Sequence, residues 1–276
     1  MIFENYCILA YNSLLLIDFY STKVREKELK MDVFYEMFID LPRQGPGNKK
    51  YTIQALSLIK NLTSNPKILD VGCGSGYQTF TLANKLTNCE ITSVDNFQPF
   101  LDRINQNIVS QNLHDKIKTS NQSMFALDFP EESFDLIWAE GSIYIIGFDR
   151  GLKEWSKFLK NNGYIVVSEI SYLSKNIPDD VKHFWFREYP TMKTLEENLE
   201  IVHRAGYYDV EYFIMGKEGW FNEYYIPLEN KINKMKLKYQ ENKEAMEILN
   251  LTQYEIDLYK KYSKYYSYVF YIGRKN

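Results

Sequence analysis

The stretch from Lys67 to Gly76 reads Lys-Ile-Leu-Asp-Val-Gly-Cys-Gly-Ser-Gly, with glycines at the alternate positions 72, 74 and 76. Glycines remove the side chains that keep a ligand off the backbone and permit turns closed to other residues. Ile68, Leu69 and Val71 before them read as a short buried parallel strand, and Gln78 onward reads as a helix. A glycine loop between a strand and a helix N-terminus offers backbone N–H groups to a nucleotide-type ligand. Counted from Gly72, the dinucleotide fingerprint G-x-G-x-x-G needs glycine at 77, where Tyr77 stands. A nicotinamide-dependent oxidoreductase is therefore the disfavoured alternative.

Other residues of the right type fall at the ends of strand-like runs. Glu90 to Asp95 is a second strand closing on an acid, about twenty residues past the loop, the distance at which a βαβ unit places a carboxylate on ribose hydroxyls. The lesser alternative for Asp95 is an N-cap for the following helix. Phe97 is placed to stack on an adenine or to anchor that helix. A buried strand from Phe134 to Ala139 delivers Glu140, Gly141, Ser142 and Tyr144 to one rim, where a carboxylate is either structural or chemical; the polar groups crowded there favour the chemical reading, Glu140 as a base with Tyr144 as a positioning hydroxyl. Upstream, Leu41-Pro-Arg-Gln-Gly-Pro-Gly47 is a stiff loop. Its Arg43 and Gln44 present a planar cation and an amide suited to a carboxylate. Trp220, Tyr224 and Tyr225 can enclose a partly apolar small molecule.

Bulk composition narrows the classes. The 276 residues carry 33 basic and 36 acidic side chains and a 45% hydrophobic share, enough for one α/β domain with an insertion and too balanced for a nucleic-acid footprint. Cys7, Cys73 and Cys89 form no C-x-x-C pair, so neither a disulfide framework nor a zinc site is expected, and a reducing cytoplasm fits. The apolar run Tyr6 to Tyr20 is interrupted by Asn12, Ser13 and Asp18, so stable membrane insertion is not expected. Residues 1–25 read as an N-terminal extension, and Met31 lies close to where the recognisable fold begins.

The elements that must hold these residues alternate. Helices are expected over Glu26 to Ile39, Thr52 to Leu62, Gln78 to Leu86, Gly151 to Leu159, stopped near Asn162-Gly163, and Leu195 to Ala205. Further strands are expected over Lys116 to Asn121, Tyr164 to Glu169, Tyr208 to Met215 and Tyr265 to Ile272. Residues 216–262 are too long for a hairpin connection and read as a helical cap inserted before the last strand. The lysines at 231, 234, 236 and 238 read as a solvated helix face.

Asp-x-Gly-x-Gly-x-Gly over Asp70, Gly72, Gly74 and Gly76 resembles motif I of the class I S-adenosylmethionine-dependent methyltransferases. The resemblance runs from about residue 26 to the end and extends to small-molecule enzymes related to those of ubiquinone and menaquinone biosynthesis. It implies a Rossmann-like α/β sheet of seven strands, the last antiparallel, with helices on both faces. It also implies S-adenosylmethionine as cofactor and a small-molecule methyl acceptor as partner. The cofactor contacts it implies are Arg43, Gln44, Asp70, Gly72, Cys73, Gly74, Gly76, Gln78, Asp95, Asn96, Phe97, Ser123 or Met124, and Glu140. In the family, an acid commonly stands where this chain has Ser123 and Met124. A non-catalytic binder of the same cofactor remains the second alternative, because nothing in these residues separates binding from turnover.

Overall fold

The computed structural model describes residues 32–276, so the expectations for residues 1–25, for Met31 and for the first part of the 26–39 helix lie outside the described residues. Its strands are β1 (Lys67–Val71), β2 (Glu90–Asp95), β3 (Ile117–Asn121), β4 (Phe134–Glu140), β5 (Leu159–Tyr172), β6 (Lys193–Thr194), β7 (Tyr207–Ile214) and β8 (Tyr266–Lys275). Seven of them form one sheet in the order β3-β2-β1-β4-β5-β8-β7, and the two-residue β6 pairs with β5. The first five are mutually parallel along this path, while β8 runs antiparallel to both β5 and β7. Strand order reverses between β1 and β4, and the crevice beyond the carboxyl ends of such a pair is where open α/β sheets bind ligands. Among the described residues no helix is long and apolar enough to cross a membrane.

Strand alternation divides the core into two layers. Ile68, Leu136, Trp138, Val166 and Phe270 face a layer shared with residues 32–38 and the cap. Leu69, Val71, Ile137, Ala139 and Val167 face the opposite layer, with Leu152, Trp155 and Val202. Both faces are covered, so β1, β4 and β5 read as nearly continuous apolar runs.

Three elements differ from the sequence expectation. The helix expected over 151–159 is Phe148–Ser156, and Asn162 is a left-handed residue (φ 64°) inside β5, where the pairing with β4 shifts register. What looked like a helix stop is a strand bulge. A helix over Asp179–Glu188 was not foreseen; it starts after Pro178 with two aspartates in its first turn and buries Val181, Phe184 and Trp185. The helix expected from Thr52 starts at Lys49, where the Asn48 side chain caps it by accepting from the Tyr51 N–H at 3.2 Å.

The cap consists of Lys217–Trp220, a π-helical turn at Phe221–Tyr225, and helices Ile226–Lys238 and Lys243–Tyr262. It is latched to the N-terminal elements at several points. Gly47 N–H donates to Gly219 C=O at 2.7 Å, and the Tyr51 hydroxyl donates to Glu218 at 2.6 Å while accepting from Gly216 N–H at 2.8 Å. Two of the lysines read as a solvated face have partners: Lys231 pairs with Asp40 and Lys238 with Glu36.

Candidate active site

The glycine loop follows β1 and is held from every side. Gly72 and Gly74 have positive φ, and a Cβ on Gly72 would stand 2.5 Å from Ser142 Cβ, one on Gly74 2.6 Å from Gln44 Oε1. The backbone N–H groups are already spent within the protein. Those of Gly72 and Cys73 donate to Val94 C=O, Gly74 to Asp95 Oδ2 at 3.0 Å, Ser75 to Gln44 Oε1 at 2.8 Å, and Gly76 to Cys73 C=O. The expectation that this loop offers its N–H groups to the ligand is therefore corrected. What it offers is close approach without side chains, which suits a ligand lacking a pyrophosphate. That weighs further against a dinucleotide.

Asp70 and Gly76 do not line the cleft. Asp70 is fully buried beneath the loop, accepting from Thr79 Oγ1 at 2.5 Å and from Gln78 Nε2 at 3.1 Å, and burial pushes its carboxyl up to about 7. It fixes the helix start rather than meeting a ligand. A Cβ on Gly76 would meet Ile104 at 2.8 Å, so this glycine serves helix packing. Gly72, Cys73, Gly74 and Gln78 do line the cleft, a cavity of about 130 Å³ at the carboxyl ends of β1, β2 and β4.

At one end of that cleft Arg43 and Glu140 form a buried ion pair, Nη2 to Oε2 at 2.8 Å. Glu140 Oε1 also accepts from Thr52 Oγ1 at 2.7 Å and from Trp138 Nε1 at 2.9 Å. A carboxylate with no exposed side-chain surface and three donors on its two oxygens is a poor proton acceptor, so the general-base expectation for Glu140 is corrected. Its work is to hold Arg43. The guanidinium lies over the Tyr77 ring at 4.7 Å, and its Nη1 is a buried donor with no partner. An orphaned charged donor at a cleft wall is the feature that a ligand carboxylate would satisfy. Gln44, by contrast, has both amide atoms occupied, by Ser75 N–H and by the Phe38 and Leu41 carbonyls. It fastens the Arg43 loop to the glycine loop.

At the other end stand Asp95, Asn96, Phe97 and Met124. Asp95 accepts from the N–H groups of Gly74 and Phe97, each at 3.0 Å, and burial raises its carboxyl above the usual range. The helix N-cap is Phe97, not Asp95. One face of the Phe97 ring is already stacked on Tyr35, centroids 3.7 Å apart and planes 3° from parallel. Ser123 does not line the cleft; its hydroxyl accepts from Phe125 N–H at 3.3 Å. The sequence reading missed Tyr35, Tyr77 and Gln122 as lining residues and Thr52 as a support. Tyr35 sits on an expected helix but off its apolar stripe, and Thr52 carried no signal.

Tyr144 lines both this cleft and a second, small chamber of about 20 Å³, which Tyr224 also lines. Trp220 and Tyr225 lie elsewhere. Trp220 is completely buried, stacks on Tyr259 at 4.1 Å and donates its indole N–H to Ser267 at 2.9 Å. The Tyr225 hydroxyl donates to Glu255 at 2.9 Å in the core of the cap. Both are corrected from acceptor contacts to packing residues.

A seven-stranded sheet with this order, an N–H-saturated glycine loop and an orphaned arginine donor at the switch point define a Rossmann-like nucleoside-binding fold of the class I methyltransferase type. A family profile described as a methyltransferase domain matches residues 62–251, more than half of the chain, and the chain belongs to that family. Among curated relatives it is 32% identical over 110 residues to a sterol 24-C-methyltransferase of Candida albicans, covering 40% of this chain and 29% of that one. It is 29% identical over 156 residues to the ubiquinone/menaquinone biosynthesis C-methyltransferase UbiE of Rickettsia bellii, covering 55% and 62%. An uncharacterized protein of Haemophilus influenzae is 29% identical over 133 residues, covering 46% and 51%. The chain thus spans between 29% and 62% of the length of these relatives. In fold it is similar to a SAM-dependent methyltransferase from Geobacter sulfurreducens in complex with S-adenosyl-L-homocysteine, at a TM-score of 0.74 and 17% identity over 89% of this chain and 98% of that one. It is likewise similar to phosphoethanolamine N-methyltransferase 2 of Haemonchus contortus, at a TM-score of 0.66 and 17% identity over 95% and 60%.

Proposed function

We propose that this protein is a cytoplasmic enzyme that transfers a methyl group from S-adenosylmethionine to a small-molecule acceptor. When bound, that cofactor supplies a methyl carbon already activated by a positive sulfur. The observation that carries the reading is Arg43 Nη1, a buried, unpartnered cationic donor on a residue that lines the cleft beside the glycine loop. Arg43, oriented by Glu140, takes the amino-acid carboxylate of the ligand; Gly72 and Gly74 allow close approach; Asp95 accepts from the ribose hydroxyls. Asn96, Phe97 and Met124 border the adenine end.

Methyl transfer needs an acceptor held in line at near-attack distance and water excluded, and little acid–base chemistry beyond that. Tyr144, at the junction of the cleft and the second chamber, is the residue placed to orient the acceptor. The net charge of −3 supports a small molecule over a polyanion. Buried free Cys73 and Cys89 support a reducing compartment.

The test is calorimetry of the full chain with S-adenosylhomocysteine, S-adenosylmethionine and NAD(P)H, followed by release of label from methyl-labelled S-adenosylmethionine into a small-molecule extract. One-to-one binding of the first two with label transfer is expected. Binding of NAD(P)H alone overturns the cofactor reading, and binding without transfer leaves a non-catalytic binder.

A further inference from the structure

We propose that Tyr77 is a positioning residue for recognition of the cofactor's carboxylate, its ring holding the Arg43 guanidinium so that one nitrogen is left for the ligand; this rests on the methyl-transfer reading above. The other atoms of the guanidinium are already engaged. Nη2 donates to Glu140 at 2.8 Å and Nε to Gly45 C=O at 3.3 Å. Gly47 packs against the group, since a Cβ there would stand 2.4, 2.6 and 3.0 Å from Nη2, Cζ and Nε. Cζ lies over the Tyr77 ring, 4.7 Å from its centroid. Nη1 is the nitrogen without a partner.

Two bonded nitrogens fix an axis through the guanidinium plane, and a ring against its face opposes rotation about that axis. Nη1 is thereby held in one direction. A cation over a ring face also gains from the ring's negative potential, and gains more once water is excluded. Arg43 is 4% exposed. Tyr77 borders both the cofactor cleft and an open groove of about 320 Å³ beside the helices Tyr77–Lys85 and Gln98–Gln111, whereas Arg43 borders only the cleft, so the ring screens the guanidinium from that groove.

Burial pushes the Tyr77 hydroxyl up to about 12, with Glu223 of the cap beside it adding to the rise, so the phenol stays neutral and Arg43 meets a ring face rather than a phenolate. The ring is therefore the working part. Tyr77 also stands where a dinucleotide fingerprint needs glycine, so the side chain that disfavours a pyrophosphate cofactor is the one that serves the arginine. The consequence is selection for a nucleoside that carries a carboxylate.

The experiment is calorimetry of the full chain with S-adenosylhomocysteine and with methylthioadenosine, which lacks the carboxylate. Tyr77→Leu keeps an apolar side chain and removes the ring face, so it should weaken S-adenosylhomocysteine about three- to thirtyfold and methylthioadenosine less than about twofold. Tyr77→Phe keeps the ring and should bind both ligands within about twofold of wild type. Should Tyr77→Leu fold poorly, phenylalanine analogues with one, two and three ring fluorines in place of Tyr77 keep the shape and draw charge from the face. Affinity for S-adenosylhomocysteine should then fall stepwise while that for methylthioadenosine stays level. Equal losses for the two ligands in Tyr77→Leu, or indifference to fluorination, overturns the positioning role with the cofactor reading untouched. Failure of S-adenosylhomocysteine to bind the wild type overturns the reading beneath it, and the inference with it.

Discussion

Glu140 and Arg43 are 97 residues apart in sequence and share one buried hydrogen bond. If Glu140 only orients Arg43, Glu140→Gln leaves one acceptor oxygen for three donors and misdirects the guanidinium. S-adenosylhomocysteine should then bind about ten- to a hundredfold more weakly, with little change for methylthioadenosine, which lacks the carboxylate. Calorimetry with both ligands checks this, and unchanged affinity beside a large loss of turnover would return the base role to Glu140. Asp70 gives a second residue-level expectation. Its folded carboxyl is raised to about 7 against an ordinary value of 3.8, so the folded state keeps a proton that the unfolded chain gives up first. Stability is therefore undiminished by Asp70 below about pH 4 and falls as pH rises towards about 7. Asp70→Asn removes this, and its melting temperature relative to wild type should climb across that window; a constant difference would show that Asp70 titrates normally. The glycine loop and Asp95 were legible because their residues are consecutive or one βαβ unit apart. The Arg43–Glu140 pair was not, because partnership across a sheet leaves no local pattern, and the sequence assigned each residue a separate job.

Elements place these residues, and the latch between the cap and the N-terminal helix shows how. Tyr51, at the start of the helix Lys49–Ser57, is 3% exposed and joins Gly216 N–H to Glu218 through its hydroxyl. Tyr51→Phe strands a backbone donor and should cost about 1–2 kcal/mol in denaturant unfolding. Glu218→Gln removes only a partly exposed carboxylate and should cost less than about 1 kcal/mol. Equal losses would mean that the charge, not the backbone N–H, secures the cap. The extent of the cap was readable because fifty residues between two strands cannot be a turn. Which of its aromatics face a chamber was not, since Trp220, Tyr224 and Tyr225 fall within six residues where an α-helical turn passes into a π-helical one. That change of winding resets which side chains share a face, and Tyr224 alone of the three reaches a chamber.

At the scale of the molecule, the cofactor cleft and the cap are joined through one short loop. Arg43 and Gln44 face the cleft, Gly47 donates to Gly219 in the cap, and a Cβ on Gly47 would press on Arg43 Nη2 at 2.4 Å. A ligand carboxylate that satisfies Arg43 Nη1 therefore stiffens a loop whose far end is hydrogen-bonded to the cap. Binding to the native state stabilises by mass action, about 2.7 kcal/mol at a hundred times Kd, and distributes that gain over whatever is mechanically coupled to the site. Hydrogen exchange should then show slower exchange on S-adenosylhomocysteine binding in residues 43–47 and 216–225 as well as in 70–78 and 94–97. Tyr51→Phe, which loosens the latch, should shrink the effect in 216–225 and leave 70–78 unchanged. Protection confined to the glycine loop and β2 would mean that the cap moves independently of the cofactor. The acceptor chamber would then be assembled by the acceptor itself, and Tyr144, shared by both cavities, would be its hinge with the cleft.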